Sequence, residues 1–281
     1  MWIKFLLGVL FVLSLVGAAF LRPARELESN IGRRIEGDRQ LRLLSWNIGN
    51  GDLESESRAH SEDLPAVARV ILDTDADAVA LQELTGNDQL KLLLMYLKNS
   101  YHGHVSRLGS GDRVEAVLVK SRSENGEPGV LFSDVPANGR FAAAAAFRLR
   151  KDLAEVVLVS AHADAFSAAR RRTYAEEVAD WARSHKSALT FIAGDFNLEV
   201  STRSRNNLFT DDAKHDSESY AYLLKYFRDL GLEAGETSIN DRRIDYVFGP
   251  KADVSLQRAE VLRSAAVGRM DHWPVLVELT F

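Results

Sequence analysis

From Leu41 onward, short apolar runs alternate with stretches whose apolar residues recur every three or four positions. The first run, Leu41-Arg42-Leu43-Leu44-Ser45-Trp46-Asn47-Ile48, reads as a strand stopped by the turn signal Gly49-Asn50-Gly51-Asp52. Leu64, Val67, Ala68, Ile71 and Leu72 then fall at helical spacing and predict one buried helix face. Ala78-Val79-Ala80-Leu81 is a second strand leading into Gln82-Glu83, and Leu90, Leu93, Leu94 and Leu97 predict a second helix. Strands are expected near 114–120, 141–148 and 156–161, the last running into His162. A helix over about 168–184 precedes a strand at 189–193, which ends in Gly194-Asp195-Phe196-Asn197. A helix around 220–230 and strands at 244–248, 254–262 and 275–279 complete the chain. The alanine run from Ala142 to Ala146 fits a strand packed closely on a neighbour. Alternating strands and helices, without internal repeat or interior linker, define a single α/β domain over residues 41–281.

The segment before it follows another pattern. Met1-Trp2-Ile3-Lys4 opens an uncharged run of 17 residues, 5–21, and Arg22-Pro23-Ala24-Arg25-Glu26 ends it. Val16-Gly17-Ala18-Ala19 supplies the small residues of a cleavage site, and the run just reaches the length of a membrane span. Residues 1–21 are therefore read as a signal peptide or membrane anchor, and 22–40, charged and patternless, as a linker. Five arginines follow the run (22, 25, 33, 34 and 39) and only Lys4 precedes it, which opposes simple export. The expectation is an extracytoplasmic protein, secreted or anchored by this segment.

Composition narrows the class. In 281 residues, 46% hydrophobic and 27% charged content excludes a disordered, collagenous or coiled-coil chain. A formal charge of −5 excludes a polycation but not a local field able to bind a polyanion. The absence of cysteine removes disulfide scaffolds, zinc–thiolate sites, iron–sulfur clusters and thiol nucleophiles.

Candidate chemistry gathers at strand ends. Asn47, Glu83, His162, Asp195, Asn197, Asp245, Asp271 and His272 each lie in, at the end of, or beside a β-type run. Singly, an Asn there is a turn residue and an Asp a helix cap. Together they place carboxylates, amides and histidines on one rim of an α/β fold, where several strands deliver side chains to a rigid base.

The motifs Ser45-Trp46-Asn47-Ile48, Leu81-Gln82-Glu83, Ser160-Ala161-His162-Ala163-Asp164, Gly194-Asp195-Phe196-Asn197, Arg243-Ile244-Asp245-Tyr246-Val247-Phe248 and Met270-Asp271-His272-Trp273-Pro274-Val275 resemble, in order, the endonuclease/exonuclease/phosphatase superfamily. The resemblance implies a four-layer α-β-β-α sandwich of two mixed β-sheets flanked by helices, like deoxyribonuclease I, and a divalent-metal phosphoesterase. By the same similarity, Glu83 is the principal ligand of Mg²⁺ (or Mn²⁺), with Asn47 and Asp271 contributing directly or through water. His162 and Asn197 hold the non-bridging oxygens, Asp245 fixes the tautomer of the acid/base group His272, and Asp195 orients or deprotonates the attacking water. Whether Asp195 or His272 takes that proton stays open. Met270 stands where a serine or threonine often precedes the Asp-His pair. No Val-Pro-Asn run follows His162, which sets the chain apart from abasic-site endonucleases.

The leading expectation is a monomeric nuclease or other phosphodiesterase acting on nucleic acid. A phospholipid or small phosphorylated metabolite, with the N-terminal segment at a membrane, is the second. A catalytically silent binding module is the third. The 199–240 segment, with Arg203, Arg205, Asn206, Asn207 and Lys214, is a candidate for substrate loops. Other features read as structural: Asp73-Thr74-Asp75-Ala76-Asp77 lacks the Gly and Glu of a calcium loop. Arg170-Arg171-Arg172 is expected on a solvated helix face, with phosphate contact as the minority reading. His60, His102, His104, His185 and His215 are expected at the surface.

Overall fold

A computed structural model describes residues 40–49, 58–121, 129–185, 188–200, 213–265, 267–268 and 270–281. The 5–21 run and the linker up to residue 39 lie outside the described residues, as do His60's side chain, Arg203, Arg205, Asn206 and Asn207. Among the described residues no helix is long and apolar enough to cross a membrane.

Strand β1 (Gln40–Asn47) shows the plan. It starts at Gln40, one residue inside the expected linker, and pairs antiparallel with β12 (Val275–Thr280) and parallel with β2 (Ala78–Leu84). Its neighbours complete a six-stranded mixed sheet ordered β11-β12-β1-β2-β4-β3, with β3 at Tyr101–Val105, β4 at Val114–Lys120 and β11 at Ser255–Val261. The second sheet is ordered β5-β6-β7-β8-β10-β9. It contains β5 (Leu131–Ala137), β6 (Arg140–Phe147), β7 (Val156–His162), β8 (Leu189–Asp195), β9 (Arg228–Asp229) and β10 (Asp245–Gly249). Only the β1–β2 and β7–β8 pairs are parallel.

Strand side chains alternate between faces, so each buried strand feeds two apolar layers. Leu41 and Leu43 join Ala78, Ala80, Val117, Leu158, Phe191 and Val247 in the layer between the sheets. Leu44, Trp46 and Ile48 turn outward to α1 (Arg58–Thr74) and α2 (Asn87–Tyr96). On the other side Val157, Val159 and Ile192 meet α3 (Ala168–Ser184) and α4 (Ala213–Tyr226). The result is the expected α-β-β-α sandwich. Ala143 and Ala145 face the opposite sheet while Ala142 and Ala144 face helix α3's cluster, so the alanine run is a close-packed strand.

Some expectations are corrected. Strands β3, β5 and β9 carry no clear apolar alternation; β3 and β5 are sheet edges, where one flank needs no apolar cover. The last helix is Ala213–Tyr226 rather than 220–230, because its polar first turns are held by ion pairing, and Phe227 onward turns into β9. Leu72 is exposed, not part of the buried face of α1. Within the arginine triplet, Arg171 is fully buried and bonds Asp216 through Nε (2.9 Å) and Nη2 (2.8 Å). Its Nη1 donates to the Asp164 and Ala165 carbonyls. Arg170 and Arg172 are the solvated members. His104 is half-buried, 3.0 Å from Asp134 and stacked on Phe132.

Candidate active site

The layer between the sheets changes character along its length. At one end the inward rows are Leu, Val, Ala and Phe; at the other they become Ser45 and Asn47 on β1, Gln82 on β2, Ser160 and His162 on β7, Asp195 on β8 and Asp245 on β10. Gln82 Nε2 donates to Ser160 Oγ (3.0 Å), which in turn donates to the Leu81 carbonyl (2.9 Å), forming a polar floor. Strand register then lines up the reactive groups. His162 is directly opposite Asp195 across the parallel β7–β8 pair, and Asp195 is opposite Asp245 across β8–β10.

Glu83 arrives by a different route. Simple alternation would send it outward with Val79 and Leu81, toward the helices. Instead β2 is irregular between Leu81 and Leu84, and Glu83 has φ 63°, a left-handed conformation unusual for a non-glycine residue. That local strain re-aims the carboxylate into the site, a device common at functional positions. Asn197 is likewise left-handed at φ 51°.

All eight expected residues converge. Glu83, His162, Asp195, Asn197, Asp271 and His272 line one cavity of about 320 Å³. Asn47 donates from Nδ2 to Glu83 Oε1 (2.9 Å) and Asp195 Oδ2 (3.1 Å), and Asp245 stands behind His272. Two histidines face the same oxygen: His162 Nε2 and His272 Nε2 each lie 3.7 Å from Asp195 Oδ2. Each is backed by a second acid. His272 Nδ1 is 2.9 Å from Asp245 Oδ2, which also accepts the Thr237 hydroxyl at 2.6 Å. His162 Nδ1 is 3.5 Å from Glu115 Oε1, an ion-pair distance without hydrogen-bond alignment.

Glu115 was not anticipated from the sequence. It lies inside the apolar β4 run, on the face it shares with Val117 and Val119, and so points between the sheets. A lone acid on an inward row of hydrophobic residues was the available signal.

These surroundings set the charges. Burial disfavours protonated His162 and His272, but the acids beside them outweigh it. Glu115, Asp195 and Glu83 push His162 up to about 9, and Asp245 and Asp195 push His272 up to about 10. Both are imidazolium at neutral pH. Burial opposes ionisation of Glu83 too, yet His162, the Asn47 hydrogen bond, His272 and Arg113 together hold its carboxyl below the usual range. Burial raises Asp195 and Asp271, with His272 opposing in both cases.

The donor set suits a hard divalent cation. Two clusters, Glu83–His162–Asp195 and Asp195–Asp245–His272, bring ligand-type atoms within 4.8 Å of one another. Such a cation prefers oxygen, so the carboxylates are the donors that suit it best. Room is kept beside Glu83 because residue 49 is glycine: a Cβ there would sit 2.0 Å from Glu83 Oε2. Asn47 differs from expectation. It turns its amide nitrogen toward the carboxylates while its oxygen accepts the Gly49 N–H at 2.9 Å, so ligation through oxygen requires the amide to turn over.

Comparison with known proteins identifies the family and agrees with the fold. The family model described as "Endonuclease/Exonuclease/phosphatase family" matches residues 44–269, and the chain belongs to that family. Its members are hydrolases of phosphate esters that depend on a divalent metal. A search of curated proteins finds no significant match. Among solved structures, a mannosyl-6-phosphatase from Bacteroides thetaiotaomicron VPI-5482 superposes with a TM-score of 0.65 at 22% identity, covering 86% of this chain and 100% of its own. Humanized D. rerio TDP2 gives 0.63 at 16% identity, with 86% and 99% covered. The human Nocturnin catalytic domain with bound sulfate gives 0.62 at 15%, with 86% and 94% covered. At these identities the likeness is one of fold.

Proposed function

We propose that this protein is a Mg²⁺-dependent nuclease that hydrolyses phosphodiester bonds by in-line attack of water. The observation that carries the reading is the pair of acid-backed histidines, His162 and His272, each 3.7 Å from the shared Asp195 oxygen. Cleaving a phosphate ester requires a proton to leave the water, another to reach the departing alkoxide, and charge on phosphorus to be stabilised. This arrangement supplies a group for each task.

Glu83 and Asp271, with Asn47 once its amide is turned, would hold Mg²⁺ or Mn²⁺, which polarises a phosphate oxygen and stabilises the leaving oxyanion. His162 donates from Nε2 to a non-bridging oxygen, joined by the Asn197 amide, which now donates to the Ala163 carbonyl at 3.3 Å. His272 is the acid: Asp245 holds its Nδ1, so Nε2 gives its proton to the leaving oxygen. Asp195 is the base, its burial-raised carboxyl accepting the water's proton. Asn197 N–H donates to Asp195 Oδ1 at 2.9 Å and fixes the other oxygen for that role.

The test is nicking of supercoiled plasmid by the purified protein with Mg²⁺, with EDTA and with His272→Ala. Nicking that needs both metal and His272 is expected. A folded, Mg²⁺-supplied protein that leaves plasmid and single-stranded oligonucleotides intact but cleaves a phospholipid or sugar phosphate refutes the nuclease reading. Inactivity on all of these, with retained binding, supports a silent module instead. We also propose an extracytoplasmic location, on the strength of the uncharged 5–21 run. Mature protein beginning after Ala19 indicates secretion, an intact Met1 in the membrane fraction indicates an anchor, and an intact Met1 in the soluble cytoplasmic fraction overturns the location.

A further inference from the structure

Arg242 lies in the loop before β10 and lines the cavity, yet the chemistry above gives it no part. It is only 7% exposed. Its Nε donates to Glu199 Oε2 at 3.2 Å, a single-point contact. Its Nη2 is buried without a hydrogen-bond partner among the described residues, and so is the other Glu199 oxygen. A guanidinium offers five donors in a rigid fork, and buried donors are rarely left unmatched unless a ligand completes them.

The main chain of Arg242 is tied into the frame of the site. Its carbonyl accepts Thr237 N (2.8 Å) and Ser238 N (3.0 Å), and the Ser238 hydroxyl donates to the Asp271 carbonyl (2.9 Å). The scaffold that places Asp271 therefore also places Arg242.

Arg113 is its counterpart. It precedes β4 of the other sheet, lines the same cavity and sits close enough to Glu83 to help keep that carboxylate ionised. Its side chain is 21% exposed and lies 3.5 Å from Asp112 on the rim. Guanidinium groups thus reach the cavity from both sheets, Arg113 beside Glu83 on one, and Arg242 beside Glu199 with Arg140 of β6 on the other.

An isolated diester carries one negative charge, which His162 and the cation already neutralise. A zwitterionic phospholipid would bring a cation that two further arginines oppose. A polynucleotide brings additional phosphates, which arginine forks match. Resting on the nuclease reading, we propose that Arg242 and Arg113 hold the phosphates flanking the scissile one, so that the enzyme selects polynucleotide chains over isolated diesters.

The experiment compares a fluorescent oligonucleotide with bis(p-nitrophenyl) phosphate, using the full chain and its Arg242→Gln, Arg242→Lys and Arg113→Gln forms. In either Gln variant the oligonucleotide kcat/KM should fall at least about tenfold more than that of the small diester, mainly through KM. The slope of log kcat/KM against log salt should flatten by about 1 per arginine removed. Arg242→Lys, which keeps the charge but not the fork, should recover part of the loss. Arg113→Gln, at a rim position, reads the effect without touching a buried pair. Equal losses on both substrates, or none on either, overturn this inference and leave the nuclease reading standing. Wild-type protein that turns over the small diester but no oligonucleotide overturns both.

Discussion

Replacing Gly49 by alanine tests whether the close approach of β1's end to Glu83 builds the site. No special backbone angle requires glycine here; the constraint is contact. The new Cβ would lie 2.0 Å from Glu83 Oε2, 2.7 Å from Cδ and 2.8 Å from Cβ. Ordinary contact begins at 3.4 Å, so the carboxylate must retreat by roughly 1.4 Å, and rotation alone cannot relieve the approach to Glu83 Cβ. Glu83 is already in a left-handed conformation and bonded by Asn47, so the displacement passes to the Asn47–Asp195 contact. Misplacement of about 1 Å at a reacting centre costs on the order of 100-fold in rate. Overpacking adds about 1–3 kcal/mol of instability, small enough for a folded product. The assay is kcat/KM on bis(p-nitrophenyl) phosphate across a Mg²⁺ titration, with a thermal melt to confirm folding. The expected result is a loss of about 100-fold with half-saturation moved to higher Mg²⁺, about tenfold or more, as when a supporting shell is disturbed. A folded Gly49→Ala protein with wild-type kcat/KM and unchanged half-saturation would refute the assignment of Glu83 to the reacting centre.

Two further outcomes are expected. Glu115→Gln removes the leading influence that raises His162, so the alkaline limb of the kcat/KM–pH profile, near 9 in the wild type, should move down by about 1 unit or more; an unmoved limb sinks the pairing. Because the folded pKa of His162 lies above its ordinary 6.5, its stabilising contribution is complete below pH 6.5 and disappears as pH rises through about 9, a window the variant should narrow. Arg171→Met takes the guanidinium from the fully buried Asp216 and should cost about 3–5 kcal/mol in urea unfolding, with Arg171→Met/Asp216→Leu regaining most of it. A loss below about 1 kcal/mol, or no recovery in the double variant, refutes that account.

What the sequence disclosed and what it hid have separate physical causes. The buried strands could be read because burial on both faces forces continuous apolar runs, and β1, β7 and β8 have them. Strands β3 and β5 could not, because edges need no such run. The eight site residues stood out because polar side chains interrupt those runs where strands end. Glu115 was concealed because it is a lone charge in the second position of β4, with the apolar run following it rather than leading up to it. Arg171 looked like one of three surface arginines; only the helix's rotation and the arrival of α4 bury it. Arg113 and Arg242 come from loops, and spacing along the chain gives no hint that they share a cavity.

The same alternation that buries the core also aims the site, which makes strand register the property on which function depends most. A one-residue slip of β8 would carry Asp195 to the helix face and bring Gly194 inward. The fold guards against this at Gly194, whose φ is +149° and where any Cβ would sit 1.9 Å from the Ala161 carbonyl oxygen. Only glycine fits that contact with β7, so the residue that pins the β7–β8 approach immediately precedes Asp195. Asn197, two residues on, closes the arrangement by donating its N–H to Asp195 Oδ1. The Gly-Asp-Phe-Asn segment is thus a register lock, a carboxylate and its clamp in four residues. Phe196 anchors the group in the outer core against Tyr246 and Phe248. Its position explains why motif and mechanism coincide here: the backbone geometry that holds the two strands together leaves one outcome for where Asp195 points.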